Sequence, residues 1–139
     1  MERIVVGIDG SDASRKALRW AIDNAGEAEV VALHAYDVLV SSLDASPSPP
    51  TDVVGLAVEL HEGAIRLATA LVDEVAGEDS NVTVKAVEGP ATEVLLEAAA
   101  DADLLVVGSH GAGLAEVLLG SVSLECVQHS PCPVLVYRG

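Results

Sequence analysis

Residues 3–12 read Arg3-Ile4-Val5-Val6-Gly7-Ile8-Asp9-Gly10-Ser11-Asp12. The run from Ile4 to Ile8 is apolar and rich in β-branched side chains, which suits a parallel strand buried on both faces, here spanning Arg3 to Asp9. Gly10 then breaks the strand, and Ser11 or Asp12 can accept the first helical N–H groups as an N-cap. From there to about Ala25, the residues Ala13, Ala17, Leu18, Ala21 and Ile22 recur at spacings of three and four, the mark of a helix with one apolar face. Gly26 stops it. A buried strand running straight into an amphipathic helix is the first half of a βαβ unit.

The remaining chain repeats the alternation. Glu29 to Tyr36 is a second strand. Asp37 to Asp52 holds Ser46-Pro47-Ser48-Pro49-Pro50, and proline removes N–H donors and fixes φ, so this stretch reads as an irregular loop. From Asp52 to about Ala76, Val53, Leu56, Leu60, Ala64, Leu67, Leu71 and Val75 mark one helix about 36 Å long. Asn81 to Val87 alternates as a half-exposed strand, with Val82, Val84 and Ala86 on one face. Pro90 opens a short helix, Ala91 to Ala100. Asp103 to Ser109 is an apolar fourth strand. After a glycine loop come a helix from Ser121 to His129, a Pro131-Cys132-Pro133 break and a short strand, Val134 to Tyr137. The pattern predicts an α/β fold with a parallel sheet, helices on both faces and right-handed crossovers, with the first and fourth strands central.

Composition agrees with a core of small aliphatic groups. Alanine and valine number 43 of the 139 residues, against one tryptophan, two tyrosines and no phenylalanine. That length suits a single domain, residues 1–139. The formal net charge of −15 leaves few groups to neutralise phosphates of a duplex, so nucleic acid is excluded as a partner. No apolar run approaches the ~20 residues of a membrane span, and no basic segment leads into a long apolar one as in a secretory signal. Cys126 and Cys132 lack histidines at zinc-ligand spacing and read as packed, reduced thiols, which points to the cytoplasm.

In an open α/β sheet, ligands sit beyond the carboxyl ends of the central strands. Two segments lie there: Gly7-Ile8-Asp9-Gly10-Ser11, and Gly108-Ser109-His110-Gly111 continuing to Gly120-Ser121-Val122-Ser123. Glycines let a ligand approach the backbone, and a helix N-terminus at Gly120 to Ser123 favours an anion. Ser121 and Ser123 add hydroxyl donors. A G-x-x-G after a strand is equally a tight turn with Ser121 as N-cap. Neither a G-x-x-x-x-G-K-[ST] loop nor a G-x-G-x-x-G after the first strand is present.

The layout resembles the universal stress protein family. The matching pieces are Ile4-Val5-Val6-Gly7-Ile8-Asp9-Gly10-Ser11, Glu88-Gly89-Pro90-Ala91, Val106-Val107-Gly108-Ser109-His110-Gly111, and the block from Leu118-Leu119-Gly120-Ser121-Val122 to Pro131-Cys132-Pro133-Val134-Leu135-Val136. The resemblance implies a Rossmann-like or flavodoxin-like three-layer sandwich with strand order 3-2-1-4-5. It implies ATP, held by a motif written G-2x-G-9x-G-[ST]; the net charge of −15 calls for Mg²⁺, carried by the phosphates, to neutralise them. Gly108, Gly111, Gly120, Ser121 and Ser123 would then hold phosphates, with Val122 beside them. Asp9 would meet the ribose, flanked by Gly7 and Ile8. Ala35 would offer backbone groups to adenine, and Val107 would line the base pocket. Only eight residues, Ala112 to Leu119, separate Gly111 from Gly120, one fewer than the family spacing, and Ala112 stands where members often carry a cation. The resemblance also implies a homodimer, with Val134 and Val136 on the C-terminal strand paired across a two-fold axis.

Other readings attach to the same residues. Asp9 either touches a ligand or caps the Gly10-Ser11 turn, and His110 either approaches a phosphate or sits on a surface loop. His34 reads as a packed histidine with one nitrogen satisfied, and His61 as solvated. Glu97, Asp101 and Asp103 read as solvated acids at helix ends and turns. No catalytic set emerges, because Ser109 and Ser121 lack a nucleophile elbow; slow ATP hydrolysis is the most that Mg²⁺ and water would support. The function expected is a nucleotide-binding regulator of stress responses. The alternatives are an interaction module with an empty site and a binder of another small anion, such as a cyclic nucleotide.

Overall fold

The computed structural model describes residues 1–36, 53–77, 81–109 and 121–138. The Ser/Pro loop and most of the glycine loop, including His110, Gly111 and Gly120, lie outside the described residues. The strands are β1 (Arg3–Gly7), β2 (Glu29–Tyr36), β3 (Thr83–Glu88), β4 (Leu104–Gly108) and β5 (Val134–Tyr137). The helices are α1 (Asp12–Asn24), α2 (Val53–Ala76), α3 (Ala91–Ala99) and α4 (Ser121–His129). All five strands are parallel, in the order β3-β2-β1-β4-β5. The expected topology is the one observed, with β1 central and β4 next to it. None of the described helices is long and apolar enough to cross a membrane.

Two apolar layers sandwich the sheet. Ile4, Val6, Val30, Ala32 and Val106 meet α1 and α2 on one face, through Ala17, Leu18, Ala21, Ala68, Leu71 and Val72. Val5, Val31, Leu33, Leu105 and Val107 meet α3 and α4 on the other, through Val94, Leu95, Ala99 and Cys126. Each fully buried valine or leucine contributes about 1.5–3 kcal/mol relative to exposure.

Burial along α2 corrects the reading of that helix. Leu67 is 59% exposed, whereas Ala64, Ala68, Leu71 and Val72 are buried. The buried stripe is turned toward the alanines, and Leu67 falls at its outer margin.

At the amino ends of the strands, Asp103 is more than a solvated acid. Its Oδ2 accepts from the Glu2 and Arg3 N–H groups at 2.7 and 3.0 Å, while its own N–H donates to the Arg3 carbonyl. Those two N–H groups hold its carboxyl below the usual aspartate range. Beside it, Arg3 Nε pairs with Glu29 Oε1 at 2.8 Å, and the Thr83 hydroxyl donates to Glu29 Oε2. β1, β2, β3 and β4 are thereby tied at one end. Cys126 is a buried free thiol whose pKa is raised by desolvation and by Glu125, consistent with a packed, unreactive group.

Candidate functional site

β1 was expected to run to Asp9 and instead ends at Gly7. The Ile8 N–H still donates to the Leu33 carbonyl at 2.9 Å, but the Ile8 carbonyl leaves the ladder and faces His34 Nδ1 at 3.0 Å. A carbonyl only accepts, so Nδ1 carries the proton. His34 is thus the half-buried histidine with one nitrogen satisfied that its strand position suggested, and it steers the chain out of the sheet.

The turn that follows is closed by its own side chains. The Ser11 N–H donates to Asp9 Oδ1 at 2.9 Å, and the Asp9 N–H donates to Ser14 Oγ at 3.3 Å. Ser11 is the N-cap of α1, accepting from the Ser14 N–H at 3.2 Å, and the Ser14 hydroxyl donates back to the Ser11 carbonyl. Gly10 sits between them at φ +85°, and its carbonyl accepts from the Arg15 guanidinium at 2.6 Å. Asp9 therefore caps the Gly10-Ser11 turn with one oxygen. Partial desolvation pushes its carboxyl up; hydrogen bonds from Ser11 and Ser14 outweigh that and hold it below its ordinary value. A carboxyl depressed in the folded state adds stability above the unfolded pKa of about 3.9, and that stability is lost as pH falls through the folded value. Chemical denaturation at pH 7 and pH 3 will show the loss, and Asp9→Asn will reduce it, leaving the part owed to Asp103.

On the other side of the switch point, β4 delivers Gly108 and Ser109. A Cβ on Gly108 would stand 2.8 Å from Ala13 Cβ and 3.0–3.1 Å from the backbone of Ala13 and Ser14. Its glycine is needed where α1 crosses the end of β4. The Ser109 N–H donates to the Tyr137 carbonyl, and the Ser109 carbonyl accepts from the buried Ser123 hydroxyl at 2.8 Å. Ser123 therefore moors α4 to β4. Ser121, the first residue of α4, is exposed, and Val122 is half-buried. The N-cap position falls on residue 120, outside the described residues.

Between these two ends lies a crevice of about 220 Å³. Among the described residues it brings together Gly7, Ile8, Asp9, Ala35, Val107, Gly108, Ser121, Val122 and Ser123. Leu33, Ala35, Leu95 and Val107 make an apolar floor; Asp9, Ser11, Ser121 and the α4 N-terminus make a polar mouth. The described lining holds one acid and no cation. An apolar slot with a few polar groups and a helix dipole at its opening fits a flat ring joined to an anion. No three His, Cys, Asp or Glu side chains among the described residues are grouped to hold a metal.

Sequence reasoning missed Ser14, Leu33, Ala91 and Leu95 as lining residues. Leu33 was within reach, standing two residues before Ala35 on one strand face. Ala91 and Leu95 arrive from α3, and nothing local to them indicates it. His61 was read as solvated; it is exposed, yet its Nδ1 lies 2.7 Å from the Tyr36 hydroxyl.

The family model described as the universal stress protein family matches residues 1–138. The universal stress protein YxiE of Bacillus subtilis is 36% identical over 145 residues, covering 98% of both chains. The universal stress protein Rv2624c of Mycobacterium tuberculosis is 37% identical over 139 residues, covering 99% of this chain and 48% of that one. The chain thus spans about half the length of such mycobacterial relatives. Among solved structures, a universal stress protein in complex with cAMP is 28% identical, with TM-score 0.69 and coverage of 99% and 98%.

Proposed function

The chain belongs to the universal stress protein family, and on that premise we propose that it is a cytoplasmic, single-domain, dimeric regulator whose crevice binds an adenine nucleotide, ATP as its Mg²⁺ complex. The observation that carries the proposal is the convergence of the β1 and β4 ends with the α4 N-terminus on one slot, apolar inside and polar at the mouth. The adenine lies on Leu33, Ala35 and Val107, with Ala35 offering backbone groups. Asp9, flanked by Gly7 and Ile8, meets the ribose with its carboxylate. The phosphates reach Gly108, Ser121, Val122 and the backbone of Ser123, whose hydroxyl is engaged by Ser109; the family resemblance assigns the same role to Gly111 and Gly120, and the loop position assigns it to His110, all three outside the described residues. Among the described lining residues no serine is paired with a histidine, and occupancy is taken as a signal rather than a reaction step.

The net charge of −15 opposes a polyphosphate, so neutralisation by Mg²⁺ and by salt matters here more than usual. Calorimetric titration is expected to show saturable binding of Mg·ATP that weakens with EDTA and strengthens as salt rises. Ser121→Ala, which removes one exposed donor, will weaken it about fivefold, the worth of one hydrogen bond near 1 kcal/mol. Heat with neither ATP nor cAMP would overturn the proposal in favour of an interaction module of the same fold. The neighbour bound to cAMP supports a second reading, a cyclic nucleotide in the same slot; tighter binding of cAMP than of Mg·ATP would select it.

The dimer forms through β5. Among the described residues β5 pairs only with β4, and its free edge, Val134–Tyr137, carries no charge. The preceding helix leaves Leu124 and Val127 exposed at 44% and 49%. The opposite edge, β3, carries exposed Lys85 and Glu88, which discourage strand addition. Antiparallel pairing of two β5 strands across a two-fold axis covers the apolar edge. Sedimentation will show wild-type protein at twice the chain mass and Val136→Asp at the chain mass; a dimer that survives, with circular dichroism unchanged, would refute it.

A further inference from the structure

We propose that the α3 face of the sheet holds a second binding surface, a groove that takes a basic amphipathic helix of a partner protein. It adjoins the nucleotide slot, with Leu33 lining both, and does not rest on that assignment. The groove, of about 310 Å³, runs between α3 and the outer edge of β3. Its floor is Val31, Leu33 and Val87, and Val87 is 40% exposed, an unusual position for a valine in a sheet. Among the described residues, α3 and α4 lie over β2, β1, β4 and β5, and no helix packs on β3 on this face. On the opposite face α2 covers β3.

The rim decides the occupant. The α3 side carries Glu97 on the helix and Asp101 in the turn that follows it, both exposed, and neither makes an ion pair among the described residues. Lys85 stands alone on the β3 wall, exposed and likewise without an ion pair there. One end is closed by Arg3, already neutralised by Glu29. A complementary segment therefore has an apolar row for the floor and lysines or arginines along the flank facing α3, with no cation on the flank facing Lys85. A helix meets this requirement, since its rows lie on distinct flanks and it would complete the helical layer over β3. The net charge of −15 steers such a cationic segment toward the molecule.

The test uses a synthetic amphipathic helical peptide of about four turns, with a leucine row and a lysine row, titrated into isotopically labelled full-length protein. Saturable amide shifts are expected at Val31, Leu33, Lys85, Val87 and Ala98. The double variant Glu97→Lys/Asp101→Lys should weaken binding about tenfold. Glu59→Lys/Glu62→Lys on exposed α2 positions changes net charge equally and should leave affinity within about twofold. Equal weakening by both pairs, or shifts spread over the acidic surface, would reduce the effect to bulk charge and overturn the proposal. A change of oligomeric mass in Val87→Asp would instead assign the groove to a second copy of this chain, also overturning it. Because the readout is a peptide at this groove, its failure leaves the nucleotide titrations untouched.

Discussion

Gly108→Val is expected to lower folding stability by about 3 kcal/mol, the upper part of the range for forcing volume into a packed site, and to reduce the melting temperature by about 10 °C. The glycine stands where the end of β4 passes beneath the first turn of α1, and any Cβ would meet Ala13 Cβ at 2.8 Å and backbone atoms at 3.0–3.1 Å. Backbone cannot step aside as a side-chain tip can. Gly7→Ala is the internal contrast: the atoms nearest its Cβ are the Leu95 methyls, at 3.0–3.1 Å, and Val107 Cγ1 at 3.5 Å, all side-chain carbons. A flexible leucine end yields by a few tenths of an ångström, so this variant should lose less than about 1 kcal/mol. The two glycines look alike in sequence, each closing a β-branched run. If Gly108 serves only a bound phosphate, Gly108→Val will leave the ligand-free protein as stable as wild type, and thermal denaturation without nucleotide decides the matter.

Ser123→Ala has the next largest effect. The hydroxyl is buried and donates to the Ser109 carbonyl at 2.8 Å, so its removal strands an acceptor in the interior at a cost of about 1–3 kcal/mol. It also frees the first turn of α4 from the end of β4. The variant should therefore lose stability without ligand and nucleotide affinity as well. Ser121→Ala should lose affinity alone, because Ser121 is exposed at the mouth. Urea titration paired with calorimetry separates the two serines: equal stability for all three proteins would show that the mooring bond contributes nothing.

The topology was legible because it rests on periodicity. Ile4 to Ile8 and Leu104 to Val107 are apolar without alternation, and in the structure they form the central strand β1 and one of its two neighbours, β4, with side chains buried on both faces. β3 alternates, and it is the strand with one open face. Boundaries were less legible, since they depend on partners far along the chain. β1 stops two residues early because His34, on another strand, takes the Ile8 carbonyl. Leu67 has the expected helical spacing, but it falls at the outer margin of the stripe that Ala64, Ala68, Leu71 and Val72 bury. At the crevice, residues at strand ends followed from the switch-point rule. Ala91 and Leu95 did not, because α3 is brought over the slot by the crossover and no local signal marks them.

The knot of bonds around Asp103, Glu29 and Arg3 has a practical consequence. It pins the first residues at the pole of the molecule opposite the crevice, roughly the 20 Å length of a strand away. Met1, 73% exposed just outside that knot, is thus a place to attach a fluorophore that reports unzipping of β1 from β4 while leaving the ligand undisturbed.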